Sequence, residues 1–342
     1  MRSRILSSRG SSLIEMSISS ILTMIILMAG VALFRPAVDI SFLISQQAGM
    51  NQTARFSLDV FTTELSLAGN GMTGGGIQLP VGTGVAPKFA CNREEGCYIL
   101  NNTFPGSRLY AIIPGNSKGP TINGVATDVV TFVYVDPDSN LDQYPLTSMT
   151  NDRAYFDAGM DPPYNDPVSG ARLGDILMLC NEKGCAAGVV TAVVGGRTYF
   201  SVGSSYDPIK FNQTAAGYGS LSSIQNPASE TRAYRLVVTT FYIDNSNPDV
   251  PRLMRQVNTG KPRVAALFVE NLQLSYDIFD ENSSTVTTNL ADAGGNPNQI
   301  RKINVSIGAR SPVEGTHVRS YERLVLTTSV SARSLRYRDY YE

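Results

Sequence analysis

Residues 1–34 read MRSRILSSRGSSLIEMSISSILTMIILMAGVALF, a basic start followed by a long apolar run. The start carries Arg2, Arg4 and Arg9 without an acidic residue, and the run from Leu13 to Phe34 contains Glu15 as its one charge. Twenty-two helical residues measure about 33 Å, which is enough to cross the hydrocarbon core of a bilayer. Because basic flanks stay in the cytoplasm, the pattern predicts a single membrane pass with a cytoplasmic N-terminus.

The helical pattern continues beyond the apolar run, whereas a secretory signal peptide would end there at a cleavage site. Apolar residues recur every three or four positions, as on one face of a helix, at Met50, Ala54, Leu58, Phe61, Leu65 and Ala68. The charged residues Arg55, Asp59 and Glu64 are predicted to lie off this stripe. Gly69 is expected to end the helix, and Pro36 to kink it, because proline removes one backbone hydrogen bond. The prediction is one helix over 11–69 with a transmembrane segment at 13–34 and an amphipathic second half.

Glu15 is the unusual residue, because a carboxylate two residues into a membrane segment costs several kcal/mol unless it is paired. One interpretation places its side chain at the membrane edge, where it reaches the polar interface. The alternative requires a cation at the same depth. If the chain were cut after Gly10, Ser11 would supply a new α-amino group, which a neighbouring subunit could present to Glu15.

The motif Arg9-Gly10-Ser11-Ser12-Leu13-Ile14-Glu15-Met16, followed by an apolar helix, resembles the class III signal sequence of the type IV pilin superfamily. In that superfamily a prepilin peptidase cuts after the glycine and methylates the new N-terminus, and the glutamate five residues in guides filament assembly. The resemblance implies that residues 1–10 are a leader peptide, that Ser11 becomes the methylated N-terminus and that Glu15 is the assembly glutamate. The first mature residue of the superfamily is usually Phe, and it is Ser11 here.

Residues 54–72, ARFSLDVFTTELSLAGNGM, resemble the helix end of the PilW-type minor pilins, and more loosely that of the J-type pseudopilins of type II secretion. The resemblance implies a minor pilin of a type IV pilus, which primes filament assembly and lies at or near the tip. The implied partners are the other minor pilins, the major pilin, the inner-membrane assembly platform, the prepilin peptidase and a tip adhesin. The implied location is the bacterial inner membrane before assembly and the pilus at the cell surface afterwards. A J-type pseudopilin and a membrane-anchored surface adhesin remain as alternatives.

Residues 70–342 are expected to form a β-rich head on the periplasmic or extracellular side. Runs rich in β-branched, aromatic or alternating apolar residues predict strands at 129–135, 174–179, 187–194, 198–202, 303–309 and 323–332. Residues 234–243 and 252–255 resemble the late strand pair of the PilW-type proteins, and the phrase VENLQLSYDIF within 264–279 is similar to one that recurs in them. The segment 136–170 is rich in turn-forming residues and is predicted to be mainly loop, and 281–298 is predicted to be a second polar loop. The predicted fold class is α+β, with a long N-terminal helix and a large, mainly antiparallel β head.

Composition argues against several functional classes. The chain has 28 Lys plus Arg against 29 Asp plus Glu, a formal net charge of −1, whereas duplex-binding proteins usually carry a basic excess. The tail 333–342 mixes Arg with Tyr, a combination that can stack on single-stranded nucleic acid, but its acidic residues Asp339 and Glu342 weaken that hypothesis. Because His317 is the one histidine, any catalytic group of the Ser-His-Asp or Cys-His type has to use it. The prediction is therefore a protein that is not an enzyme and that needs no cofactor.

The four cysteines fall into two local pairs, Cys91 with Cys97 and Cys180 with Cys185. An extracytoplasmic head favours disulfides, and local pairing is the simplest of the three possible connectivities. A zinc site is the alternative, although spacings of five and four residues depart from the common C-x2-C form.

The metal prediction is none, with one weak calcium candidate in the loop after residue 135. Asp136, Asp138, Asn140 and Asp142 alternate as oxygen ligands do in calcium loops. However, Leu141 stands where the EF-hand loop has glycine, and no glutamate follows at position 12. A solvated turn is the alternative interpretation.

Overall fold

The computed structural model describes residues 12–80, 86–94, 96–98, 107–213, 219–226, 228–280, 282–293, 297–314 and 320–332. Three features with sequence-based predictions lie outside these residues: the leader 1–10 with its cut site between Gly10 and Ser11, His317, and the tail 333–342.

One continuous helix, α1 (Leu13–Leu67), precedes the head. Its 55 residues correspond to a length of about 82 Å. The helix continues through Pro36. The kink expected at Pro36 stays a prediction. Just beyond Leu67, Gly69 has a φ of 83°, a left-handed conformation that glycine adopts without steric cost and that ends a helix.

The head contains short and long strands. In chain order the described residues form β1 (Ile77–Gln78), β2 (Cys91–Asn92), β3 (Gly96–Cys97), β4 (Arg108–Leu109), β5 (Ile112–Gly115), β6 (Thr121–Ile122), β7 (Val125–Ala126), β8 (Val129–Val135), β9 (Ser148–Met149), β10 (Arg153–Tyr155), β11 (Ile176–Asn181), β12 (Gly184–Val189), β13 (Ala192–Val194), β14 (Arg197–Tyr199), β15 (Arg232–Asp244), β16 (Arg252–Val257), β17 (Arg263–Leu267), β18 (Val269–Asp280), β19 (Thr285–Leu290), β20 (Ile300–Arg310) and β21 (Arg323–Ser331). Two short 3-10 turns, Leu221–Ile224 and Pro297–Gln299, complete these elements.

A seven-stranded sheet forms around β15, whose 13 residues are enough to pair with three other strands. One edge of β15 pairs first with β11 and then with β16, and the other edge pairs with β8. The sheet continues outward through β12, β17 and β5. All strand pairings among the described residues are antiparallel, which confirms the predicted fold class.

Two four-stranded sheets flank this sheet. One has the order β19-β18-β20-β21, and the other has the order β13-β14-β10-β9. The remaining short strands form the pairs β1-β4, β2-β3 and β6-β7.

The main core lies where the end of α1 meets the two larger sheets. Phe61 and Leu65 of the helix are buried in one apolar cluster with residues of β8, β15, β18 and β20. The Phe61 ring lies 5.1 Å from Phe132 in an edge-to-face arrangement and 5.2 Å from Phe241, between ring centroids. Such aromatic pairs contribute about 1 kcal/mol each beyond their area burial, so Phe61 is a principal contact between helix and head.

Two further cores pack against the seven-stranded sheet, the second on the face opposite the main core and the third on the same face as the main core, at β11 and β12. Because side chains alternate between the two faces along β15, Phe241 and Ile243 point toward the helix, and Tyr242 lies in a second cluster on the opposite face. The third cluster joins β11 and β12 to the small sheet, with Phe156 and Phe200 as its large residues.

Two predictions for local structure are wrong in part. The segment 281–298, predicted to be a loop, contains β19, whose β-branched run Thr285-Val286-Thr287 pairs with β18. The run 187–194, predicted to be one strand, is divided, because β12 ends at Val189 and β13 begins at Ala192 in a different sheet. The segment 136–170 is mainly loop, as predicted, and contains the short strands β9 and β10.

Replacing Phe61 by Ala is expected to lower the free energy of unfolding of the detergent-solubilised chain by about 3–5 kcal/mol, because it removes a fully buried ring and leaves a cavity. Urea titration followed by tyrosine fluorescence measures the change. Phe56→Ala is the matched control, since Phe56 lies on the same helix and is exposed, and its expected change is below about 0.5 kcal/mol. Equal losses for the two variants would show that the helix does not depend on Phe61 for its packing.

Candidate functional site

The start of α1 is capped by its own side chains. Ser12 is the N-cap residue, and its hydroxyl accepts a hydrogen bond from the Ile14 N–H. The Glu15 carboxylate accepts the Ser12 N–H at 3.1 Å, which completes a capping box. The carboxylate also lies at the positive end of the helix dipole. Glu15 therefore has a local hydrogen-bond partner within its own chain.

The first half of α1 presents apolar side chains to its surroundings on every face. An 18-residue window has a mean hydropathy of 2.2, and none of that window is buried by the head. The helix is long and apolar enough to cross a membrane, and this fits membrane anchoring. Its hydroxyl groups bond internally, each donating to the carbonyl oxygen four residues earlier, at Ser17, Ser19, Ser20 and Thr23.

The second half of α1 packs against the head with one stripe of residues. The buried members of the helix are Gln46, Met50, Ala54, Ser57, Phe61, Glu64 and Leu65. The predicted stripe is confirmed: Met50, Ala54, Phe61, Leu65 and Ala68 are buried, and Leu58 is half-buried and packs against the main core. The prediction that Glu64 lies off the stripe is wrong, because its side chain is buried.

Glu64 is buried at the contact between helix and head together with two polar partners. Its Oε1 accepts the Nε–H of Arg255 on β16 at 2.9 Å and a second hydrogen bond from the same guanidinium. Its Oε2 accepts the hydroxyl of Tyr134 on β8 at 3.0 Å. Burial and the negative charge of Glu64 raise the pKa of Tyr134 above its usual range, so its hydroxyl stays protonated and continues to donate. These contacts fix the helix rotation relative to both strands, since each carboxylate oxygen has its own partner.

The sequence did contain a signal for the position of Glu64. Glu64 follows Phe61 by three residues and precedes Ala68 by four, which places it on the helix face that Phe61 occupies. The missing information was its partner, because Arg255 lies 191 residues further along the chain.

The calcium candidate is organised by an arginine instead. Arg235 of β15 is buried, and its guanidinium donates to the Asp136 carboxylate at 2.8–2.9 Å and to the carbonyl oxygens of Val168 and Gly170. The Asn140 side-chain amide donates to a loop carbonyl oxygen, at Pro162. Within the described ranges no group of three or more His, Cys, Asp or Glu residues is placed to hold a metal ion. The guanidinium thus supplies the positive charge that a cation would have supplied, and it fixes the long loop onto the sheet.

Both predicted cysteine pairs are joined in the structure. Cys91 pairs with Cys97 across β2 and β3, and Cys180 pairs with Cys185 across β11 and β12. Each disulfide joins directly opposite positions of a hairpin, as the local pairing predicts. Two disulfides suit an oxidising compartment outside the cytoplasm.

No family model matches the sequence, and searches of the curated proteins and of the solved structures also return no match. The candidate site therefore rests on the geometry of α1 and on the motif that precedes it.

Replacing Glu64 by Gln is expected to lower the free energy of unfolding by about 2 kcal/mol, because Arg255 then keeps its partly buried charge without a carboxylate. Thermal and urea unfolding of the full chain in detergent measure the loss. Asp59→Asn is the matched control, since Asp59 is an exposed carboxylate on the same helix and its neutralisation should change stability little. A Glu64→Gln chain as stable as the control would contradict the docking role of Glu64.

Replacing both Cys180 and Cys185 by Ser is expected to lower the free energy of unfolding by about 2–3 kcal/mol, because the opened hairpin gains freedom in the unfolded state. Urea titration of the variant under non-reducing conditions measures the difference. A reducing agent opens both disulfides of the unchanged chain. When the loss measured for the Cys91→Ser, Cys97→Ser double variant is subtracted from the loss in reducing agent, the remainder should equal the loss of the Cys180, Cys185 variant. A difference below about 0.5 kcal/mol would show that the other contacts of the β11–β12 hairpin suffice.

Proposed function

We propose that this chain is a minor pilin of a type IV pilus, which takes part in priming filament assembly and lies at or near the filament tip. The observation that carries the proposal is the division of α1 into two halves. Its first half is apolar, exposed and carries Glu15 in its first turn, whereas its second half is packed into a β-rich head.

The proposed processing follows from the motif around Gly10. Cleavage after Gly10 would free the α-amino group of Ser11, which methylation leaves positively charged. An amine at the start of one helix can then pair with the Glu15 carboxylate of a neighbouring subunit. Because an unpaired carboxylate is costly in lipid, this ion pair would favour one axial register between adjacent helices. Packing of the apolar helix halves would supply the remaining association energy.

The proposed location and partners follow from the same arrangement. Before assembly, the chain would lie in the bacterial inner membrane as a single-pass protein with its N-terminus in the cytoplasm. After assembly, it would be part of the pilus at the cell surface. Its proposed partners are the prepilin peptidase, the inner-membrane assembly platform, the other minor pilins, the major pilin and a tip adhesin. A head that follows Gly69 with more than 270 residues suits a terminal position, because a repeated shaft subunit has to fit between identical neighbours.

The proposed work is assembly and not catalysis. At the helix contact the buried Glu64 pairs with the partly buried Arg255, and Glu64 also accepts the Tyr134 hydroxyl. These contacts hold the helix in the head, which is a structural role.

Replacing Glu15 by Ala is expected to lower recovery of the protein in sheared filaments at least about tenfold, because the Ser11 amine of a neighbour loses its counter-charge in lipid. Insertion into the inner membrane should persist, since the change removes a charge from an apolar segment. Immunoblots of membrane and filament fractions measure both quantities. Asp59→Ala is the matched control and should be incorporated as the unchanged chain is.

Two outcomes would contradict the proposal. The first is normal incorporation of the Glu15→Ala chain. The second is an intact-mass analysis in which the mature protein begins at Met1 although the prepilin peptidase is active. If the chain is processed but is missing from pili and is required for protein secretion, the pseudopilin alternative replaces the pilus assignment.

A further inference from the structure

The strand β21 lies at one edge of the sheet β19-β18-β20-β21. Its nine residues pair with β20 along their whole length without a shift of register. Within the part of the chain that the structure describes, no other strand pairs with the second edge of β21. A long and regular edge of this kind is a template to which a further strand can add.

The backbone hydrogen bonds at both ends of β21 show which of its residues face the free edge. The carbonyl oxygen of Glu322 accepts the Ser311 N–H, and the Ala332 N–H donates to the carbonyl oxygen of Arg301. The even-numbered residues therefore bond to β20. Because the direction of the backbone groups alternates along an antiparallel strand, the N–H and C=O groups of the odd-numbered residues point away from β20. No backbone hydrogen bond among the described residues satisfies these outward groups, which belong to Arg323, Val325, Thr327, Ser329 and Ser331.

Three other edge strands of the head carry features that oppose the addition of a strand. The pairing of β19 with β18 and that of β17 with β16 each contain a register shift, which distorts the edge. The strand β5 contains Pro114. Charged side chains also protect edges, but the one charged residue of β21, Arg323, already pairs with Glu270. The edge over residues 324–331 is therefore regular and uncharged.

The two faces of β21 define the chemistry of a segment that would fit this edge. Leu324, Leu326 and Val330 lie half-buried on the inner face, next to the residues of β20 that belong to the main core. Thr327 and Ser329 are exposed on the outer face. An added segment would cover the open side of the inner row with its own apolar residues. The edge therefore suits an extended, uncharged segment in which apolar residues alternate with hydroxyl-bearing residues.

A second copy of this chain does not fit the edge in a membrane. Antiparallel pairing of two β21 strands would relate the two chains by a two-fold axis perpendicular to the sheet. Because several turns of α1 pack on the inner face of this sheet, the axis would reverse the direction of the helix. The two apolar helix halves would then point in opposite directions, and one membrane could not hold both. Parallel pairing would place the apolar inner row of one chain beside the polar outer row of the other.

We propose that the free edge of β21 binds an extended segment of a different protein, which adds to the sheet as a fifth strand. The backbone of that segment pairs with the outward N–H and C=O groups of Val325, Thr327 and Ser329, and its apolar residues cover the inner row. This role goes beyond the proposed assembly function. It is a property of the head and can be measured on the isolated chain, whatever the outcome of the pilus assignment.

The probe is a capped, fluorescently labelled peptide with the sequence of β21, RLVLTTSVS. When it pairs antiparallel with β21 about Thr327, Val325 lies opposite Ser329, and apolar residues meet on the inner face. One peptide carries N-methyl groups at the positions of Leu326 and Thr328, which leaves its pairing edge free and blocks its far edge. An isomeric peptide carries them at the positions of Val325 and Ser329, whose N–H groups are needed for pairing.

Fluorescence anisotropy measures binding of both peptides to the detergent-solubilised full chain. The first peptide is expected to bind saturably with one site per chain, at least about tenfold more tightly than its isomer. Thr327→Pro in the chain is expected to weaken binding of the first peptide about tenfold or more, because proline removes an outward N–H and no bond to β20. Thr327→Ala is the matched control, since it removes the same side chain but keeps the N–H, and it should change the affinity less than about twofold.

If the Thr327→Pro chain fails to fold, the two peptides on the unchanged chain still decide the question. Equal affinity of the two isomers, no saturable binding of the first, or equal binding by the Thr327→Pro and Thr327→Ala chains would each overturn the proposal. A dimer of the unchanged chain in light scattering that Thr327→Pro abolishes would assign the edge to a second copy instead. Binding that starts only after removal of residues 333–342 would assign the edge to the chain's own C-terminal segment, and this too would overturn the proposal.

Discussion

The continuity of helix α1 is the constraint on which the rest of the structure depends. The first half of the helix has apolar side chains that the head does not bury, and the second half forms part of the main core. Both halves belong to one continuous helix. The first half requires an apolar surrounding, and the second fixes the head to it through Phe61 and Glu64. From Glu15 to Glu64 the helix rises about 74 Å. The head is therefore held at a set axial distance from the charge near the membrane end.

The two faces of the seven-stranded sheet have different roles. Because side chains alternate along β15, residues next to each other in sequence serve opposite faces. Phe241 belongs to the core that holds the helix, and Tyr242 belongs to the second core on the opposite face. A register slip of one residue would exchange these two faces, so the antiparallel pairing with β8 and β16 protects both at once.

The sequence predicted the features that depend on local pattern, namely the helix, its apolar stripe, most of the long strands and the two cysteine hairpins. Local pattern sufficed there because periodicity of 3.6 or 2 reports which face of an element is buried. It failed for Glu64 and Arg235, whose burial depends on partners 191 and 99 residues away. The strand β19 was missed because its β-branched run is short and flanked by turn residues.

The capping box at the start of α1 has a consequence for the energetics of subunit exchange. In a lone subunit the Glu15 carboxylate already accepts the Ser12 N–H, so the charge enters the membrane edge with part of its solvation replaced. Under the proposed assembly, a neighbour's amine would displace a neutral donor and supply a charged one, and the number of unsatisfied groups would not rise. Under that proposal, the Ser12 N–H would bond to the carboxylate before assembly and again after the subunit dissociates.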